Sequence, residues 1–263
     1  MKRYFVIARN SFMTELSRRA SFIFAFLGNI LYLTVIYFLW SSIYKNNTEI
    51  NGMTFNEVFV YLALASSMAV MFQVYTEWFM SRDIISGNII TDIIKPLDYQ
   101  FNRFCNSLGG VFSNFLTITV PSFLLILLVF QAGIQIRLNF LFFILAVIFA
   151  LIIAFLIDYM IGLLSFYTES IWGISITKEV VVLFFSGALV PLAFFPEPLR
   201  EVVQLLPFQA IYNTPLTILI TPTLQASDYL TFISVQLFWI SVLFILSRFF
   251  HHRALKVITI NGG

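Results

Sequence analysis

The amino-acid sequence predicts an all-α integral membrane fold with six transmembrane helices. Three observations carry that prediction. Of 263 residues, 60% are hydrophobic and only 11% are charged, whereas soluble domains are about a quarter charged. Mean hydropathy is +0.92, and Phe alone supplies 32 residues. A soluble globule of this length would need far more polar surface. The charges also leave uncharged runs long enough to cross a hydrocarbon core, which takes roughly 20 residues.

Those runs, adjusted at their ends, predict spans at 20–44, 56–80, 104–130, 138–164, 174–196 and 228–250. Residues 1–19 come first as a basic amphipathic helix. Phe5, Ala8, Phe12 and Leu16 recur at helical spacing, and Arg9, Arg18 and Arg19 are available to lipid phosphates. Such a helix lies in the membrane interface. The apolar run after it is too long for a cleavable leader, and no small-residue cleavage site follows.

Residues 202–227 are uncharged too, but contain Pro207, Pro215 and Pro222. Charge bias decides how to read them. If this segment does not span, twelve of the fifteen Lys and Arg residues share one side, and Lys45, Arg137 and Arg200 take the other. If it spans, the bias falls to nine against six. The positive-inside rule favours the first arrangement. It places both termini in the cytoplasm and makes 197–222 an outer re-entrant segment, shielded by protein. One membrane domain then covers residues 1–263.

Several chemistries lack their residues. A single cysteine, Cys105, permits no intrachain disulfide. The only histidines, His251 and His252, follow the last span, which argues against an intramembrane protease. No His, Cys, Asp and Glu spacing suits a metal. No Walker A loop is present to cradle a nucleotide, so no cofactor is expected in this chain, and nothing points to nucleic acid.

Three acids fall in or near spans. Glu57 and Glu77 sit at span ends, where they mark boundaries. Asp158 lies deeper, and an ionisable group at depth is a functional candidate. It is a candidate for the translocation path, for a pair across a dimer interface or for a proton relay, against a hydrogen-bonded structural role. Lys178 is positioned to neutralise its neighbour Glu179. Trp40, Tyr44, Trp78, Trp172 and Trp239 suit interface belts or packing.

The segment between the second and third spans is patterned rather than plainly polar. Ile85, Ile89, Ile93 and Leu97 recur every four residues, and Ile90 and Ile94 widen the stripe. Asn88, Thr91, Asp92 and Lys95 gather on another face. Pro96 should end the helix near Lys95. The pattern predicts a helix over 82–98 with its apolar face on its own membrane domain. Its polar face is turned to the cytoplasm, where it either meets a protein partner or simply lies at the lipid surface.

This stretch resembles a signature of type-2 (type V) ATP-binding-cassette export permeases. That signature is a basic residue (Arg82), Gly87-x-Ile89, and then Lys95-Pro96-Leu97-Asp98. A second stretch is similar as well, from Phe185-Ser-Gly187 through Pro191, Pro196 and Pro198, then Leu206-Pro207-Phe208 and Tyr212-Asn-Thr-Pro215. The likeness runs over nearly the whole chain and is closest to small bacterial permeases.

The resemblance implies that 82–98 is a coupling helix, with Arg82, Gly87, Asn88, Thr91, Asp92 and Lys95 meeting a cytoplasmic ATPase subunit. ATP would bind on that partner, so this chain is not itself an enzyme. Two permeases, the same or related, would pair in the bacterial plasma membrane and export a hydrophobic or amphipathic substrate. The competing class is a self-powered secondary transporter or channel. That class often shows repeated halves and several intramembrane charges, and no repeat is visible here.

Overall fold

The computed structural model describes residues 2–130, 138–221 and 224–257. Arg137 and Pro222, used in the topology argument, lie outside the described residues. Helix α1 (Lys2–Leu16) leads into α2 (Arg19–Ile43). A hairpin, β1 (Glu49–Ile50) and β2 (Met53–Thr54), then turns through Asn51 and Gly52, both at positive φ. Asn-Gly is the pair that a two-residue hairpin turn demands. The hairpin delivers Thr54 as the N-cap of α3 (Phe55–Phe72). The Thr54 amide donates to Glu57 Oε2 at 2.8 Å, and the Glu57 amide donates to Thr54 Oγ1 at 3.4 Å. Glu57 is thus half of a capping box.

Helix α3 forms the centre. Every residue from 58 to 65 is buried, because α2, α6 (Tyr99–Asn114), α7 (Val120–Phe130) and α11 (Asn213–Ile220) pack around it, and α8 (Leu138–Leu163) packs in turn on α11. The last helix, α12 (Ala226–Leu255), packs on α8. Its Gln236, fully buried, donates to the carbonyls of Ala146 and Ala210, both at 2.9 Å. Helices α2 and α12 leave Phe24, Leu31, Phe38, Leu230, Phe238 and Ile245 exposed. That surface suits lipid rather than water.

Five described stretches are long and apolar enough to cross a membrane: Arg19–Ile43, Phe55–Ile85, Tyr99–Leu125, Asn139–Phe166 and Ala226–Leu255. The expected single span over 174–196 needs correction. Helix α9 (Trp172–Phe185) has 14 residues, a rise of about 21 Å, short of the roughly 30 Å core. The chain turns at Gly187 (φ +81), continues through a 3-10 turn at Leu192–Phe194, and enters α10 (Glu197–Gln204) after Pro196. Helices α10 and α11 have eight residues each, too few to cross.

A side chain at Gly187 would be strained, and its Cβ would sit 2.9 Å from Tyr61 Oη. Tyr61 Oη also donates to Asn213 Oδ1 at 3.3 Å. Gly187→Ala is therefore expected to cost about 1–3 kcal/mol, read as a lower melting temperature in detergent.

The second span is also redrawn. Helix α3 ends at Phe72, and α4 (Thr76–Ile85) begins after Tyr75, which adopts a left-handed conformation at φ 55. A break inside a membrane helix must satisfy its freed carbonyls. Asn114 supplies that bond, donating from Nδ2 to Val70 O at 3.1 Å and to Gln73 O at 3.3 Å. Asn114 ends α6 (Tyr99–Asn114), which continues through a π-helical turn, Phe115–Thr119, into α7 (Val120–Phe130). The turn sits just ahead of Pro121, which has no amide to donate.

Glycines set the close crossings. A Cβ on Gly109 would strike the α1 backbone, one on Gly110 would lie 2.7 Å from Val74 Cγ1, and one on Gly162 would lie 2.9 Å from Met80 Sδ. Small residues at helix crossings let backbones approach in lipid.

Candidate functional site

Two charged sites stand out, and both gather around α4. The first is the corner where α4 meets α5 (Ile89–Ile93) and α6. The expected single helix over 82–98 is corrected here. Helix α4 carries Arg82 and stops at Ile85, Gly87 turns the chain at φ +76, and α5 is five residues long. A glycine with positive φ terminates a helix readily, since no Cβ opposes the turn.

The faces also differ from the pattern's prediction. Of the isoleucine stripe, Ile89 is 3% exposed and packs inward, while Ile85, Ile90, Ile93 and Ile94 face out, Ile94 at 75%. Asp92, expected on the free polar face, turns inward instead. Arg103 is the cause. It lies in the first turns of α6 with only 7% of its surface exposed. From Nη2 it donates to Asp83 Oδ2 and to Asp92 Oδ2, each at 2.7 Å. Lys95 Nζ donates to Asp92 Oδ1 at 2.7 Å. A buried guanidinium without carboxylates costs several kcal/mol, and Asp83 and Asp92 remove that cost by turning toward Arg103. The corner therefore folds charge inward and apolar surface outward.

The remaining residues of the stretch play smaller local parts. Thr91 Oγ1 donates to Asn88 O at 2.8 Å. Asn88 and Gly87 are exposed. Arg82 lies over the Phe79 ring, 5.2 Å from its centroid, on the side that faces α1. The corner is tied further to its neighbours through Asp98, the N-cap of α6, which accepts from the Phe101 amide at 2.8 Å. The Asp98 amide donates to Tyr4 Oη at 3.1 Å, and Arg248 Nη1 of α12 donates to Asp98 Oδ2 at 2.6 Å. Burial pushes the Asp98 carboxyl up, but the hydrogen bonds from Arg248 and Phe101 and the Arg248 charge outweigh it and hold it below the usual carboxylate range.

The second site joins α4, α8 and α9. Lys178 Nζ donates to Glu77 Oε1 and to Asp158 Oδ1, each at 2.8 Å. Ser175, one turn earlier on α9, donates from Oγ to Glu77 Oε1 at 2.8 Å. Glu77 is not a boundary residue, because it is 3% exposed. Lys178 turns to these two acids rather than to Glu179, whose Oε1 accepts from Gln73 Nε2 at 3.4 Å. A cavity of about 140 Å³ opens beside the cluster, bordered by Asp158, Lys178, Glu179, Tyr75 and Tyr212. Tyr212 reaches it from the segment just ahead of α11.

Asp158 was singled out from the sequence, while Lys178 figured there only as a local counter-ion and Arg103 was not singled out. The available signal for Lys178 is its spacing from Ser175, one helical turn on the same face. Among the described residues, no group of three His, Cys, Asp or Glu could hold a metal ion.

A family model for ABC-2 family transporter proteins matches residues 30–262. No curated protein matches the chain. The family match covers most of the 263 residues and agrees with the five membrane-length apolar helices. The chain is thus a multi-pass membrane permease that belongs to the ABC-2 family of transporter proteins.

Proposed function

We propose that this permease is the membrane subunit of an ATP-driven exporter that meets its ATPase through the α4–α5 corner. The observation that carries the reading is an apolar ridge on a braced corner. Ile85, Ile90, Ile93 and Ile94 are all exposed, while Arg103 holds the carboxylates of Asp83 and Asp92 inward. An exposed apolar patch rimmed by polar groups marks an interaction surface. Asn88, Thr91 and Lys95 supply the rim, and Gly87 sets the turn that presents it.

In this reading the corner and both termini face the cytoplasm of a bacterial cell, and ATP is bound and hydrolysed on the partner subunit. A second permease, the same chain or a related one, completes the pathway. The substrate is hydrophobic or amphipathic and moves outward. Asp158 is assigned to the path because it borders the 140 Å³ cavity. The Glu77–Lys178–Asp158 cluster, with Glu77 buried and the other two half-buried, is also the observation that favours the second reading, a self-powered transporter, since such transporters use intramembrane acids.

The test is purification of the tagged chain in mild detergent with identification of its partners. A stoichiometric Walker A ATPase should co-purify. Burying two isoleucines is worth about 1.5–3 kcal/mol each, so Ile90→Asp with Ile94→Asp should weaken that association by about a hundredfold or more. A folded chain recovered without any ATPase would transfer the assignment to the self-powered class.

A further inference from the structure

A cleft of about 460 Å³ lies between α1, α4 and α6. Its lining is polar, although the helices around it belong to a membrane domain. Three guanidinium groups border it, from Arg18, Arg82 and Arg103, against two carboxylates, Glu15 and Asp83. The amides of Asn10 and Asn106 add further donors.

The arginines are unequally used. Arg103 spends Nη2 on Asp83 and Asp92, and its buried Nε has no partner. Arg18 reaches Glu15 only at 3.5 Å. Among the described residues Arg82 has no ion pair, and it rests on the Phe79 ring. A polar cleft with a loosely paired Arg18 and an Arg82 without an ion pair suits an anion with several acceptor oxygens. A phosphate group has that chemistry.

The wall of the cleft points to the source of the phosphate. Helix α1 turns its polar residues Asn10, Ser11 and Thr14 into the cleft and leaves Phe5, Val6 and Met13 exposed. An amphipathic helix of this kind lies at headgroup depth, and basic pockets between membrane helices take lipid headgroups. We infer that the cleft holds the phosphate of an anionic phospholipid, gripped by Arg18 and Arg82. This site stands apart from the ATPase reading and survives its failure. It also gives Arg82 a role on the α1 side rather than at the isoleucine ridge.

The test uses the full chain, purified in mild detergent, delipidated, and examined by native mass spectrometry after adding dioleoylphosphatidylglycerol or dioleoylphosphatidylcholine. One phosphatidylglycerol per chain should be retained, and phosphatidylcholine should not compete. Arg18→Gln with Arg82→Gln should weaken retention about tenfold or more. Both side chains are exposed, so helicity by circular dichroism should hold. Equal retention of the two lipids, or unchanged retention in the double variant, overturns the site. Thermal stabilisation by inorganic phosphate over chloride, lost in the double variant and without any lipid preference, would keep a phosphate site and overturn the phospholipid as its source.

Discussion

Lys178→Met is expected to destabilise the folded chain by about 3–5 kcal/mol, the range for removing one member of a buried charge cluster. Lys178 is the only cation within ion-pair distance of Glu77 and Asp158 among the described residues. Without it, two carboxylates face each other with little water to solvate them, and Glu77 is nearly sealed. The three helices the cluster joins would lose their common fastening, and α9 would suffer most, since Ser175 is its only buried residue.

The compensated variant separates charge from packing. Adding Glu77→Gln and Asp158→Asn to Lys178→Met removes the stranded charges. It should recover most of the loss, because a buried ion cluster replaced as a whole by neutral groups is often tolerated. Chemical denaturation in detergent reads both effects. A change below about 1 kcal/mol in the single variant would mean the cluster is solvated in the folded protein.

Gly109→Val is the second large effect. A Cβ at Gly109 would collide with the Ala8 carbonyl and lie 2.7 Å from both the Phe12 nitrogen and Ser11 Cβ. Two of these three are backbone atoms, so no rotamer relieves the clash, and α1 must move as a body. The contacts that hold α1 then go together: Ser11 Oγ to Asn106 O at 2.8 Å, and the ring pairs Tyr4–Phe101 at 4.6 Å and Phe12–Phe112 at 5.3 Å. Overpacking of this kind costs about 1–3 kcal/mol. Limited proteolysis should release α1 from Gly109→Val but not from the wild type. Gly28→Ala is the matched control, since a Cβ there meets nothing within 4 Å. It should leave α1 protected and favour α2 slightly, by up to about 1 kcal/mol.

The long helices were legible because charge is scarce and costly in lipid. The charge-free runs over 20–44 and 229–247 overlap α2 and α12. The same counting failed at 174–196, since it weighs charge and ignores turn chemistry. Gly187, Pro191 and Pro196 were in plain view there. Gly87 was visible too, yet was read as lying inside a helix that its positive φ ends. The break at Tyr75 had no such mark. Its support comes from Asn114, some forty residues along the chain.

The candidate sites divide in the same way. The isoleucine periodicity marked out the corner, but periodicity cannot say which face is buried. That was decided by Arg103, which calls Asp83 and Asp92 inward. Asp158 was conspicuous as an acid at depth. Its partner Lys178 comes from another helix, as does Glu77, and only the packed structure brings the lysine to 2.8 Å from each carboxylate.

A cross-link tests most directly whether the α4–α5 corner docks on an ATPase. The chain has one cysteine, Cys105, and it is buried. In a Cys105→Ser background, Ile94→Cys places a single exposed thiol on the ridge. Treatment of native membranes with a maleimide–succinimidyl cross-linker should join Ile94→Cys to a Walker A ATPase, with a yield that changes on adding ATP. A folded chain that gives no ATPase adduct at this position would contradict the account.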